Sequence, residues 1–104
     1  MGVFRVRNTG AGVSLIGTSV DLPAMLNRQL FQLQMGSHPN TDLQLDFGEA
    51  GESAFAFETL DVLEPRDDHD VDPHTDLTEL EAMWRERLAA TGERFYNGRL
   101  GKLT

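Results

Sequence analysis

The chain has no cysteine among its 104 residues. That excludes a disulfide framework, a thiol nucleophile and a cysteine-held zinc site, and makes a reducing, cytoplasmic setting the expectation. It also has no apolar run near the roughly 18–20 residues that a membrane span requires. The opening MGVFRVRNTG lacks the apolar core of a secretory signal. Val6 stands where N-myristoylation needs Ser or Thr. The formal net charge of −8 argues against a protein whose main task is gripping nucleic acid nonspecifically.

What is present is enough for one core, with 39% apolar and 25% charged residues, so a single domain over 1–104 is expected. The charge is unevenly spread. Residues 1–41 hold three Arg and one Asp, residues 42–81 hold fourteen acids and only Arg66, and residues 82–104 hold five bases and two acids. The two ends could face a phosphate chain while the middle repels it.

Val3 to Arg7 alternates with period two, placing Phe4 and Val6 on one face of a strand and Arg5 and Arg7 on the other. Asn8 to Gly12 is turn chemistry, and Val13 to Gly17 reads as the returning strand of a hairpin. A helix follows, with Asp21 as N-cap, Pro23 in its first turn, Leu22, Leu26, Leu30 and Leu33 as an apolar stripe, and Gly36 closing it. A short second helix is expected over about 41–47, ending near Gly48, and a third strand over 54–63, stopping before Pro65. The last helix is expected to open with a capping box, either Asp76 with Glu79 or Thr78 with Glu81, and to bury Leu77, Leu80, Trp84 and Leu88. Glu81 lies about 20° from Leu88 around that helix, on the margin of the buried stripe. A carboxylate there is either a paired structural acid or a site residue.

Several motif readings fail on single residues. Gly10-Ala11-Gly12 lacks the third glycine of a dinucleotide loop, because Leu15 stands there. Gly12 and Gly17 have phosphate-loop spacing, but Thr18 occupies the lysine position. Asp68, Asp70, Asp72, Asp76 and Glu79 fit the ligand positions of a calcium loop, yet Pro73 stands where the sharp turn needs glycine. Residues 66–76, with His69 and His74, are expected to be a solvated acidic loop. Histidines at 38, 69 and 74 with no nucleophile elbow give no serine triad.

The order of Gly2-Val3-Phe4, Leu15-Ile16-Gly17, a leucine-rich helix, Met35-Gly36-Ser37-His38-Pro39-Asn40, Glu81-Ala82-Met83-Trp84 and Tyr96-Asn97 resembles the GIY-YIG nuclease superfamily over about residues 2–97. The resemblance implies an α+β fold, a small three-stranded antiparallel sheet flanked by helices. It implies DNA phosphodiester cleavage with one divalent cation, Mg²⁺ or Mn²⁺, carried by a glutamate that matches Glu81. It places a histidine on His38. The two family tyrosines fall on Phe4 and Leu15, the phosphate-neutralising arginine on Met25, and a further histidine on Gln29. Arg28, one turn beyond Met25, is a candidate substitute, and Arg5 or Arg7 could reach a phosphate from the sheet.

Phosphoryl transfer needs an activated water and a charge clamp, and losing such a clamp typically costs on the order of 10²–10⁵ in rate. Two functions follow from the resemblance. One is a nuclease-like domain, catalytically impaired, that binds a nucleic-acid or protein partner. The other is an active Mg-dependent endonuclease with a rearranged site built on Glu81, His38 and Arg28. No appended DNA-recognition domain is expected at this length, and nothing in the sequence fixes an oligomeric state.

Overall fold

A computed structural model describes residues 1–64 and 73–97. The elements run β1 (Gly2–Asn8), β2 (Val13–Ser19), α1 (Leu22–Met35), α2 (Thr41–Ala50), β3 (Phe55–Val62), α3 (Pro73–Ala90) and β4 (Arg94–Phe95), with one 3-10 turn at Glu52–Ala54. The sheet order is β3-β1-β2-β4.

The hairpin forms as its composition dictates. Gly12 takes φ +69°, its N–H donates to Asn8 O at 2.9 Å, and Asn8 Oδ1 accepts from Ala11 N at 3.3 Å. β1 then pairs antiparallel with both β2 and β3, Val6 opposite Leu15 and Phe57, with a bulge at Val3/Phe4 on the β3 side. The expected three strands are joined by a fourth. β4 runs parallel to β2, Val13 opposite Arg94 and Ser14 opposite Phe95. Two residues paired across some eighty positions leave no periodic trace, so β4 is invisible to hydrophobic patterning.

The pleat sends Phe4, Val6 and Leu15 to one face. There they pack with Leu22 and Leu33 of α1, Leu43 and Phe47 of α2, and Phe55; Met25, Leu26, Leu30 and Tyr96 close the margin. α1 has the expected caps: Asp21 Oδ1 accepts from Ala24 N at 3.2 Å, and Gly36 at φ +75° ends the helix, with Ser37 N donating to Gln32 O at 2.9 Å. α2 is capped by Asn40, whose Oδ1 accepts from Leu43 N at 3.0 Å. It runs through Gly48 to Ala50 and stops at Gly51, φ +89°. One interior glycine costs only about 1 kcal/mol, which burial of Leu43 and Phe47 offsets.

α3 lies on the opposite face, the face of Val3, Arg5 and Ile16. Trp84 Nε1 donates to Asp61 Oδ2 at 2.9 Å, and Asp61 is the cross-strand partner of Val3. The helix begins at Pro73, upstream of both expected capping boxes, so Asp76 and Thr78 are interior to it. Proline is pre-organised for a first helical position, and that signal marks the start better than the Asp/Thr pattern. Leu77 is buried, while Leu80, Trp84 and Leu88 are half-buried. Of the acidic segment 66–76, residues 66–72 lie outside the described residues.

The same face carries an ion network. Arg5 Nε donates to Glu58 Oε1 at 2.7 Å and Arg5 Nη1 to Glu93 Oε2 at 3.2 Å. Glu93, its side chain only 5% exposed, also accepts from the Ser14 hydroxyl and forms an ion pair with Arg7 Nε at 3.8 Å. Arg5 is thus held by two carboxylates, while Arg7, its side chain 36% exposed, meets Glu93 only at 3.8 Å.

Candidate functional site

The positions singled out by sequence gather around β2. Phe4 and Leu15 are both in the apolar core, and Met25 packs against it. The Phe4 ring lies over Gly17: a Cβ there would sit 2.7 Å from Phe4 Cε1 and Cζ. Gly2 has a comparable reason to be glycine, since a Cβ would meet the Asp61 carbonyl oxygen at 2.0 Å. Both motif glycines are explained by packing, with no ligand required.

Gln29 and His38 close the next layer. Gln29 Nε2 lies 3.5 Å from Met25 Sδ, and Gln29 Oε1 lies 2.6 Å from His38 Nε2. His38 Nδ1 accepts from Asn40 N at 3.0 Å, so the proton of a neutral ring sits on Nε2 and is donated to Gln29. Burial pushes the His38 pKa below its usual value, which keeps the ring neutral. With one nitrogen accepting and the other donating, no lone pair is left for a proton or a metal. The His38 backbone N–H donates to Gln44 Oε1 at 3.0 Å, and Gln44 Nε2 donates to Leu33 O, which fixes the α1–α2 junction.

Glu81 has a different neighbour from the one expected of a metal ligand. Its Oε2 accepts from Arg85 Nε at 2.9 Å, one turn along α3. Arg85 is buried, with Nη2 reaching Ile16 O at 3.4 Å and its guanidinium 5.3 Å from the Phe95 ring centroid. Asn97 reads the same backbone: its Oδ1 accepts from Ile16 N at 3.3 Å and its Nδ2 donates to Ile16 O at 2.6 Å. The Asn97 amide thus continues, for one residue, the β2 edge that β4 leaves open. Among the described residues no three His, Asp or Glu side chains converge on a point. At the position expected to hold a divalent cation stands one carboxylate, Glu81, and its Oε2 is already paired with Arg85.

Arg28, the candidate substitute for the missing arginine, is exposed on α1 and forms no hydrogen bond or ion pair among the described residues. It does not join Met25, Gln29 and His38.

Arg85 escapes sequence reasoning, whereas Tyr96 enters it only as part of the Tyr96-Asn97 motif. Arg85 falls eight residues beyond Leu77, a helical spacing that would place it on the buried face. Tyr96 carries the chain's one phenol. Its hydroxyl donates to Asp46 Oδ2 at 2.6 Å and accepts from Asn8 Nδ2 at 3.2 Å, and its carbonyl accepts from Asn40 Nδ2. Burial first, then the Asp46 carboxylate, push the phenol pKa up to about 12. Such a group stays protonated and serves as a tie between α2 and β1, not as a base.

No protein-family model matches the sequence, and no curated protein matches it. Two solved structures are similar. The catalytic domain of the homing endonuclease I-TevI superposes with a TM-score of 0.67 at 22% identity, covering 89% of this chain and 92% of that one. A point mutant of the catalytic domain of the intron endonuclease I-TevI gives 0.70 at 18% identity, covering 99% and 95%. At these identities the likeness is one of architecture, and the α+β frame of this chain is the GIY-YIG nuclease fold.

Proposed function

We propose that this chain is a nuclease-like domain without phosphodiester-cleaving chemistry, which acts by binding a partner, and that the partner is a protein. The observation that carries the reading is the state of the positions where family chemistry would reside. Phe4 and Leu15 have no hydroxyl and lie in the apolar core. Met25 offers neither charge nor donors, His38 has both ring nitrogens engaged, and Glu81 is held by Arg85. No group in that constellation can take a proton from water or clamp a phosphoryl oxygen.

The arginines favour a protein partner over DNA, although the similar structures are endonuclease domains. Arg5 is tied to Glu58 and Glu93 and Arg85 to Glu81, while the exposed Arg87 and Arg94 lie on the Trp84 ring and on Ala11 O and Arg7 is 3.8 Å from Glu93. A net charge of −8, with Arg5 and Arg85 held in ion pairs, weighs against a surface that neutralises a phosphate backbone.

The test is incubation of supercoiled plasmid with purified protein and Mg²⁺ or Mn²⁺, beside Glu81→Ala. No nicking is expected from either. Nicking by the unsubstituted chain that Glu81→Ala abolishes would establish an active endonuclease and overturn the proposal. DNA affinity at two salt concentrations decides the partner: binding that weakens by roughly one power of salt per phosphate contact would replace protein with nucleic acid.

A further inference from the structure

β3 ends the sheet on one side, and its outer edge is bare. Tyr96 N donates to Ser14 O at 2.7 Å, so Ser14 and Ile16 turn their backbone groups towards β4. Strand alternation then turns those of Phe4 and Val6 towards β2, and those of Arg5 and Arg7 towards Glu58 and Ala56 of β3. Phe57 and Thr59, opposite Val6 and Phe4, therefore point their N–H and C=O groups outward. Among the described residues no strand pairs with that edge and no hydrogen bond reaches those four groups. The Phe55 N–H is taken by Glu52 O, and the Val62 N–H by Asp61 Oδ1 at 2.9 Å. The strand runs for eight residues with neither lysine nor proline, two common guards of a free edge. Its one irregularity, the bulge opposite Val3, lies past Thr59.

We infer that this edge takes an extended, basic segment of a partner protein as an antiparallel fifth strand, an inference that rests on the reading that the partner is a protein. Main-chain bonds to Phe57 and Thr59 supply the attachment, and the two faces of β3 supply the selection. On one face stands Glu58, its side chain 39% exposed. Both Arg5 contacts, at 2.7 and 2.6 Å, fall on Oε1, and Oε2 has no partner among the described residues. A residue added opposite Glu58 lies on that same face about 5 Å away, where Lys or Arg complements the carboxylate. The residues on either side of it fall on the other face, beside the half-buried Phe57 and the exposed Thr59. Apolar side chains gain cover there. The segment selected therefore alternates basic and apolar residues.

Charge and reach set aside the occupants that the chain itself offers. Residues 52–64 contain Glu52, Glu58, Asp61 and Glu64 and no Lys or Arg. Arg87 lies over the Trp84 ring and pairs with none of them. Two β3 edges brought together would set acid against acid, and residues 65–72, with four Asp and one Arg, carry the same sign. Residues 98–104, with Arg99 and Lys102 and no acid, have the right sign but the wrong starting point. Asn97 is bonded to Ile16 of β2, four strand spacings or about 19 Å from the slot outside β3. Seven residues extend to about 24 Å at most, which leaves too few to pair with both Phe57 and Thr59.

Backbone amide NMR of the full chain, titrated with an end-blocked octapeptide of alternating lysine and valine, tests this. The Phe57 and Thr59 amides should shift and exchange with solvent at least about tenfold more slowly, with half-saturation at or below about 1 mM. An alternating glutamate–valine octapeptide should leave them unmoved, and added salt should weaken the lysine–valine complex. Methylating the valine nitrogens of the peptide should abolish binding, because valine pairs with Phe57 and Thr59; methylating the lysine nitrogens should not. Thr59→Pro removes an outward N–H without touching the β1 ladder and should weaken binding at least about tenfold, with unchanged thermal unfolding as the check on its fold. Unmoved Phe57 and Thr59 amides at millimolar lysine–valine peptide, an equal response to the glutamate–valine peptide, or equal binding of the two methylated peptides would each overturn the inference. Protection of the same amides that appears without peptide as protein concentration rises would give the edge to a second copy and overturn it too. Plasmid nicking is read in its own assay, so the two proposals fail separately.

Discussion

The His38 imidazole donates its Nε2 proton to Gln29 Oε1 across 2.6 Å, while its Nδ1 accepts from the Asn40 backbone at 3.0 Å. A histidine placed this way is a structural strut between α1 and the start of α2. It is neutral because it is buried, and protonation would cost it the Asn40 hydrogen bond.

That arrangement has a pH signature. The folded-state pKa of His38 lies below the ordinary 6.5, so its contribution to stability is complete above pH 6.5. It is lost as pH falls through 6.5 towards the lower folded value, where the unfolded chain takes up a proton that the folded chain refuses. Denaturant unfolding followed across this range by Trp84 fluorescence should show the loss. His38→Gln should flatten the slope.

The Glu81–Arg85 pair predicts a coupled loss. Glu81→Gln and Arg85→Met should each destabilise the fold by about 1–3 kcal/mol, since each leaves a polar group in the α3–β2 interface without its main partner. The double variant should cost less than the sum of the two, by about 1–2 kcal/mol. Equilibrium urea unfolding of all four proteins measures the coupling, and strict additivity would show that the two side chains do not depend on each other.

Tyr96 titrates alone, because the chain has no other tyrosine. Its folded pKa of about 12 against an ordinary 10.0 means that stability is fully present below pH 10 and is lost as pH rises from 10 towards 12. Phenolate absorbance should therefore appear together with unfolding. Tyr96→Phe should remove this alkaline slope and cost about 1–2 kcal/mol through the lost bonds to Asp46 and Asn8.

Gly17→Ala should destabilise by about 1–3 kcal/mol by driving a methyl group into the Phe4 ring. Shortening that ring in the same chain, Gly17→Ala with Phe4→Leu, should recover part of the loss. Thermal unfolding of the two single variants and the double variant reads this out.

Much of the frame is legible in the sequence because it is local. Asp21, Pro23 and Gly36 bound α1, Asn8 to Gly12 turn the hairpin, and period two in β1 separates Phe4 and Val6 from Arg5 and Arg7. These signals act over a few residues and survive folding unchanged. The site is legible in its positions but not in its partners. That Glu81 would meet Arg85, or that Gln29 would meet His38, depends on side-chain reach between neighbouring turns and across a helix junction. Glu93 is the clearest loss to sequence reasoning. A glutamate after a helix-ending glycine reads as surface, and only the arrival of Arg5 and Ser14 from the other end of the chain makes it an interior residue.

The same clasp bears on when the polypeptide can fold. Arg5 meets Glu93 across 88 positions, and β4 seals against β2 only once residues 94 and 95 exist. Contacts of such long range impose a large loop-closure entropy and slow the search for the native state. The β1–β2 hairpin can close by its own local bonds, but Arg5 and Arg7 lack Glu93 until residues 93–95 have been made and docked.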